Sequence, residues 1–85
     1  MRTILLSLHV LLLLASGSAL ADDMATCKSR HAELTKAAAT FQGDPQIKRL
    51  IDADLKRAMK EQAEGDAEEC IEALDHATKL LAGEA

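Results

Sequence analysis

The chain contains two cysteines, Cys27 and Cys70, whose chemistry depends on what surrounds them. A pair of thiols can form a structural disulfide, act as a redox couple or bind a metal as thiolates. A thioredoxin-like redox site requires Cys-x-x-Cys at a helix N-terminus, and these two cysteines lie far apart in the sequence. We therefore predict a structural disulfide between Cys27 and Cys70, with metal ligation as the alternative.

Two histidines and one aspartate form a second group of candidates. If the chain folds back about Gly43, His31 lies opposite roughly position 55 and should meet Asp54 in the middle of the molecule. Such a pair can fix the register of two helices, which is the interpretation we favour, or its side chains can lie exposed at an edge. His76 is expected at a similar height, and His31, Asp54 and His76 together would resemble a two-histidine, one-carboxylate metal set. That site depends on helix alignment and stays a hypothesis, so we predict no resident cofactor.

The N-terminal segment predicts export. Met1 and Arg2 precede an apolar run from Ile4 to Ala15, and Ala19-Leu20-Ala21 is a small-x-small cleavage site before Asp22. The run is shorter than the ~20 apolar residues of a spanning helix, and no cysteine directly follows the cleavage site as lipidation would require. We predict a signal peptide over 1–21, a mature helical domain over 22–85, and no stable membrane insertion after cleavage. The periplasm is the expected compartment, and the extracellular medium is the alternative.

Composition narrows the class of the mature domain. Cleavage removes Arg2 and no acidic residue, so the formal net charge falls from −4 to −5. An acidic chain lacks the dense positive surface that nucleic-acid binding requires. The mature segment has no Trp, Tyr or Val and a single aromatic residue, Phe41, which disfavours a β-sheet. No GxSxG, HExxH or Gly-rich phosphate loop is present, so we expect no enzyme.

Two turn signals divide the mature segment into three helices. Gly43-Asp44-Pro45 combines a helix-ending glycine with an N-cap aspartate and a first-turn proline. Gly65-Asp66 repeats this arrangement, and Glu69 is in the capping-box position. The predicted helices span Asp23 to Gln42, Pro45 to Glu64 and Asp66 to Ala82.

Apolar residues recur at helical spacing in each predicted helix. The inward positions are expected at Met24, Cys27, His31, Leu34, Ala38 and Phe41; at Ile47, Leu50, Ile51, Leu55, Ala58 and Met59; and at Ala67, Cys70, Leu74, Ala77 and Leu81. Short turns make neighbouring helices antiparallel, so the fold class is all-α, a small up-down-up three-helix bundle with one disulfide. Both cysteines then face inward at the same height on parallel helices.

Charged residues are expected on the outer faces. Arg49, Lys56 and Lys60 share one side of the second helix, and Glu68, Glu72 and Asp75 form a stripe on the third. These stripes could dock a partner, but we favour a solvated exterior with local pairs such as Asp52 with Lys56 and Lys60 with Glu64.

The stretch from Leu55 to Leu81, with its Gly65-Asp66 turn, resembles the helix-turn-helix unit of tetratricopeptide-type repeats, without their larger aromatic positions or a second copy. The whole chain also resembles small proteobacterial exported helical-hairpin proteins with a single cysteine pair. That resemblance implies fold and compartment only.

The function predicted from these patterns is that of an exported accessory or protein-interaction module with a protein partner in the cell envelope. The alternative is a metal-binding or pH-responsive protein that uses His31, Asp54 and His76. A membrane-active peptide is disfavoured by the net negative charge. The broad apolar face of the second helix leaves a weak homodimer open.

Overall fold

The computed structural model describes residues 19–83, which form three helices: α1 (Ala19–Ala39), α2 (Pro45–Ala63) and α3 (Ala67–Ala82). The predicted signal peptide lies outside these residues except for its last three, which belong to the start of α1. If cleavage follows Ala21, Asp22 and Asp23 become the first residues of the helix. Carboxylates are favourable there because they face the positive end of the helix dipole.

The first turn differs from its prediction at Gly43. α1 ends at Ala39 instead of Gln42, and Gly43 does not have the positive φ of a helix-ending glycine. A Cβ added to Gly43 would lie 2.5 Å from Cζ of Phe41. Any side chain at position 43 would force the Phe41 ring to move, because the ring packs directly on the Gly43 backbone. Asp44 is the N-cap of α2 as predicted, since its Oδ1 accepts from Gln46 N at 2.7 Å.

The second turn follows its prediction more closely. Gly65 has φ +78°, and its N–H donates to Gln62 O at 3.1 Å. Asp66 caps α3 by accepting from Glu69 N at 3.0 Å. The return half of the capping box is missing, because the Glu69 carboxylate binds Arg57 at 2.7 Å and Asp66 N donates to Glu61 O.

Contacts between the helices establish an up-down-up bundle. Cys27 and Cys70 form a disulfide with a Cα–Cα distance of 6.0 Å. Arg30 of α1 pairs with Asp75 of α3. Both partners come later in the sequence than the two cysteines, so α1 and α3 run in the same direction. Along α2 the contacts run in the opposite sense: Gln62 contacts Cys27 and Leu55 contacts His31, whereas Arg57 binds Glu69 and Asp54 contacts His76. α2 is therefore antiparallel to both neighbours. The predicted fold class is confirmed.

The core is thin and includes the disulfide. Its largest fully buried side chains are Ile51, Leu74, Cys27 and Cys70. Leu50 and Met59 were expected inside, but they are 49% and 56% exposed because they lie on opposite flanks of the α2 face that meets the other helices. On α3, Leu80 is buried while Leu81 is only partly covered. Among residues 19–83, no helix has the length and apolar character needed to cross a membrane.

Candidate functional site

The middle of α2 is contacted by a histidine from each neighbouring helix. On the α3 side, His76 Nδ1 lies 2.5 Å from Asp54 Oδ2. The Asp54 side chain is only 14% exposed, whereas that of His76 is 53% exposed. The contact becomes a full ion pair when the imidazole is protonated.

The second histidine, His31, binds the backbone of α2. Its Nε2 lies 3.1 Å from the carbonyl oxygen of Leu55 and donates to it when that nitrogen carries the proton. The predicted pairing of His31 with Asp54 is therefore wrong. Successive residues of a helix point about 100° apart, so Asp54 faces α3 while Leu55 faces the core.

These positions do not assemble the hypothetical metal set. Asp54 and His76 meet, but His31 lies on the other side of α2. Within the described part of the chain, no three His, Cys, Asp or Glu residues are grouped so that they could hold a metal ion. The arrangement ties the centre of α2 to both neighbours.

The disulfide is inaccessible from outside. Cys27 and Cys70 have no exposed surface, and Gln62 Nε2 of α2 donates to Cys27 Sγ at 3.4 Å. Reactive cysteines lie in partially exposed sites, so this geometry fits a structural bond rather than a redox couple.

Surface ion pairs connect α3 to both other helices. Arg30 of α1 binds Asp75 at 2.7 Å, and Arg57 of α2 binds Glu69 at 2.7 Å. Asp75 is therefore engaged and not part of a free acidic stripe. Asp52 pairs with Lys48 at 2.8 Å and not with Lys56 as predicted.

The basic positions expected on the outside of α2, Arg49, Lys56 and Lys60, are exposed as predicted. None of them is in a salt bridge among residues 19–83, so the predicted pair of Lys60 with Glu64 is also not formed.

A groove lies at the end of the bundle where α1 and α3 begin and α2 ends. We call it the acidic groove. Its floor is apolar and is formed by Met24, Ala67 and Ile71. Its rim consists of the carboxylates of Asp23, Glu64, Asp66 and Glu68. Glu68 was expected on the outer face of the third helix, but the groove itself could not be predicted from the sequence because its walls come from three separate segments. The available signal was the concentration of acidic residues around Gly65.

The acidic groove adjoins a region in which negative charge outweighs positive charge. Partial burial, together with the charges of Glu64, Asp66 and Glu69, raises the pKa of Glu61 above 4.5. Glu61 and Glu64 are close to the C-terminus of α2, where the helix dipole disfavours negative charge.

A second depression lies at the opposite end of the bundle and is apolar. It is lined by Phe41, Ile47, Leu80, Leu81, Ala82 and Gly83.

Comparison with known proteins gives no match: no protein-family model, no curated protein and no solved structure is significantly similar to this chain.

Proposed function

We propose that this protein is exported and acts in the periplasm or cell envelope as a small protein-interaction module. The observation that supports the proposal is the buried disulfide between Cys27 and Cys70, which ties α1 to α3. Disulfides of this kind persist in oxidising compartments, and small exported domains depend on them because their cores are small.

The surface of the bundle also suits binding better than chemistry. Its helices are locked together by the disulfide, by interhelix ion pairs such as Arg30 with Asp75, and by the two histidine contacts on α2. A rigid surface loses little conformational entropy on binding, which favours affinity. The most distinctive part of that surface is the acidic groove.

Export is tested by expressing the full chain in a Gram-negative host and measuring the mass of the periplasmic product with and without reductant. We expect a chain that begins at Asp22 and gains two hydrogens on reduction. A matched control carries Ala19→Asp and Ala21→Asp, which should block cleavage. A product that keeps residues 1–21, or that carries two free thiols before reduction, would contradict the proposal.

Binding is tested by capture from periplasmic extract at physiological salt. The bait is the oxidised protein, and the control bait is Cys27→Ala/Cys70→Ala, in which the bundle is no longer tied together. A partner retained only by the oxidised bait supports an interaction module. Retention of the same proteins by both baits, or of none, counts against it.

The contact between Asp54 and His76 favours a second candidate function, a pH-responsive protein. Protonation of His76 would strengthen the link between α2 and α3. The test is urea unfolding of wild-type protein and Asp54→Asn at pH 8 and at pH 5.5, and a stability difference that changes between the two pH values supports this candidate. An equal difference at both pH values would exclude a pH response through this pair.

The metal-binding form of this alternative remains testable by calorimetry with zinc, copper and nickel. Because His31 is on the far side of α2, tight binding would require His31, Asp54 and His76 to rearrange.

A further inference from the structure

The acidic groove combines an apolar floor with a rim of carboxylates. Its floor of Met24, Ala67 and Ile71 is half-buried, so apolar surface is available without being part of the sealed core. The four rim carboxylates are exposed, and none of them is in a salt bridge within the described residues.

Helix capping explains only part of this charge. Asp66 caps α3, and Glu68 lies in its first turn, where the helix dipole favours acids. Asp23 follows the first turn of α1 and would lie in the first turn only after cleavage behind Ala21. Glu64 has no such explanation, because it caps the C-terminus of α2, where negative charge is unfavourable. A local rule that is broken without a stabilising gain is typical of functional sites. Cleavage after Ala21 would add one α-amino group nearby, which is too little to neutralise the rim.

We propose that the acidic groove is the docking site for a basic amphipathic segment of a partner protein, with Lys or Arg on the rim carboxylates and an apolar side chain on the floor. This inference rests on the proposed function and specifies the chemistry of its partner. Charge complementarity selects a basic partner, and the apolar floor selects a peptide over a simple cation. The groove is formed by residues of the predicted mature chain alone, and its floor is anchored beside the disulfide because Met24 and Ile71 pack against the core that contains it.

The test uses the oxidised protein purified from the periplasm and a labelled peptide of about three helical turns, with Lys on one face and Leu on the other. Fluorescence anisotropy measures its affinity. We expect Glu64→Gln/Glu68→Gln to weaken binding about fivefold to tenfold, as exposed ion pairs allow. The matched control, Glu33→Gln/Glu72→Gln, removes two exposed acids outside the groove and should leave affinity unchanged. Circular dichroism of each variant verifies that the bundle is intact.

Three further comparisons complete the test. Nuclear magnetic resonance should locate the peptide-induced shifts at residues 23–24 and 64–71. Raising the salt from about 0.1 M to about 1 M shortens the screening length from ~10 to ~3 Å and should weaken binding. Spermine, which has the charge but no apolar face to match the floor, should bind more weakly than the peptide.

The proposal is overturned if the peptide does not bind, if both double variants weaken binding equally, if spermine binds as tightly, or if the shifts fall elsewhere on the bundle. These failures are distinguishable from failure of the proposed function. Export and partner capture are measured without the peptide, so a partner retained equally by Glu64→Gln/Glu68→Gln would uphold the module and reject this groove.

Discussion

Reducing the disulfide should remove a large part of the stability of this domain. Cys27 and Cys70 are separated by 43 positions, and closing a loop of that length is worth ~4 kcal/mol in the chain-entropy model. A core in a domain of this size rarely supplies more than ~3–5 kcal/mol of net stability. The two contributions add, so reduction should remove half or more of the free energy of unfolding and leave only the part that the core supplies.

The measurement is urea unfolding of oxidised and reduced protein followed by circular dichroism. Because neither sulfur is exposed, reduction is carried out in denaturant and the reductant is kept during refolding. The oxidised protein should also show the smaller m-value, since its unfolded state stays more compact. Cys27→Ala/Cys70→Ala is the control, and its unfolding curve should not respond to reductant. The reasoning fails if reduced and oxidised proteins differ by less than about 1 kcal/mol, which is within the error of extrapolation for a protein of moderate stability.

Three other substitutions test separate parts of the structure by urea unfolding. Gly43→Ala should destabilise by ~1–3 kcal/mol because its Cβ would collide with the Phe41 ring, and the effect should shrink in a Phe41→Ala background. Leu74→Ala should lower the free energy of unfolding by ~2–5 kcal/mol because the side chain is fully buried. Leu50→Ala, at a half-exposed position, should change it by less than ~0.5 kcal/mol. Equal losses for the two variants would place Leu50 in the core. Glu61→Gln should stabilise the protein at pH 7 and not at pH 3.5. A carboxyl pKa that is raised in the folded state destabilises that state only once the pH rises above the unfolded value of 4.5. A gain in stability at both pH values would point to a cause other than charge.

The acidic groove and the histidine contacts both depend on the position of α2. His31 and His76 hold α2 from its two sides, so their contribution is to fix the position of that helix. The groove depends on that position, because Glu64 at the end of α2 forms one part of its rim. A variant that loosens α2 should therefore weaken peptide binding even when no groove residue is changed.

Local signals in the sequence determined the helices and the turn between α2 and α3. Proline is excluded from helix interiors and favoured in the first turn, as at Pro45 after Asp44, and Gly65 has the positive φ that ends a helix, so both positions follow from backbone chemistry. Gly43 was misread for the same reason. Because glycine has no side chain, it suits both a helix-ending turn with positive φ and a close approach of another group to the backbone. At Gly43 it is the second, as the position of the Phe41 ring shows.

The disulfide partners and the up-down-up order also followed from the sequence, because short connections leave few ways to bring two inward-facing cysteines together. The tertiary structure alone decided which side of α2 each histidine approaches. Helical periodicity gives the angle of Asp54 on its own helix, but the rotation of one helix against another is set by packing across the whole core. The acidic groove was decided in the same way, since its floor and rim come from three segments that meet only after the helices have packed.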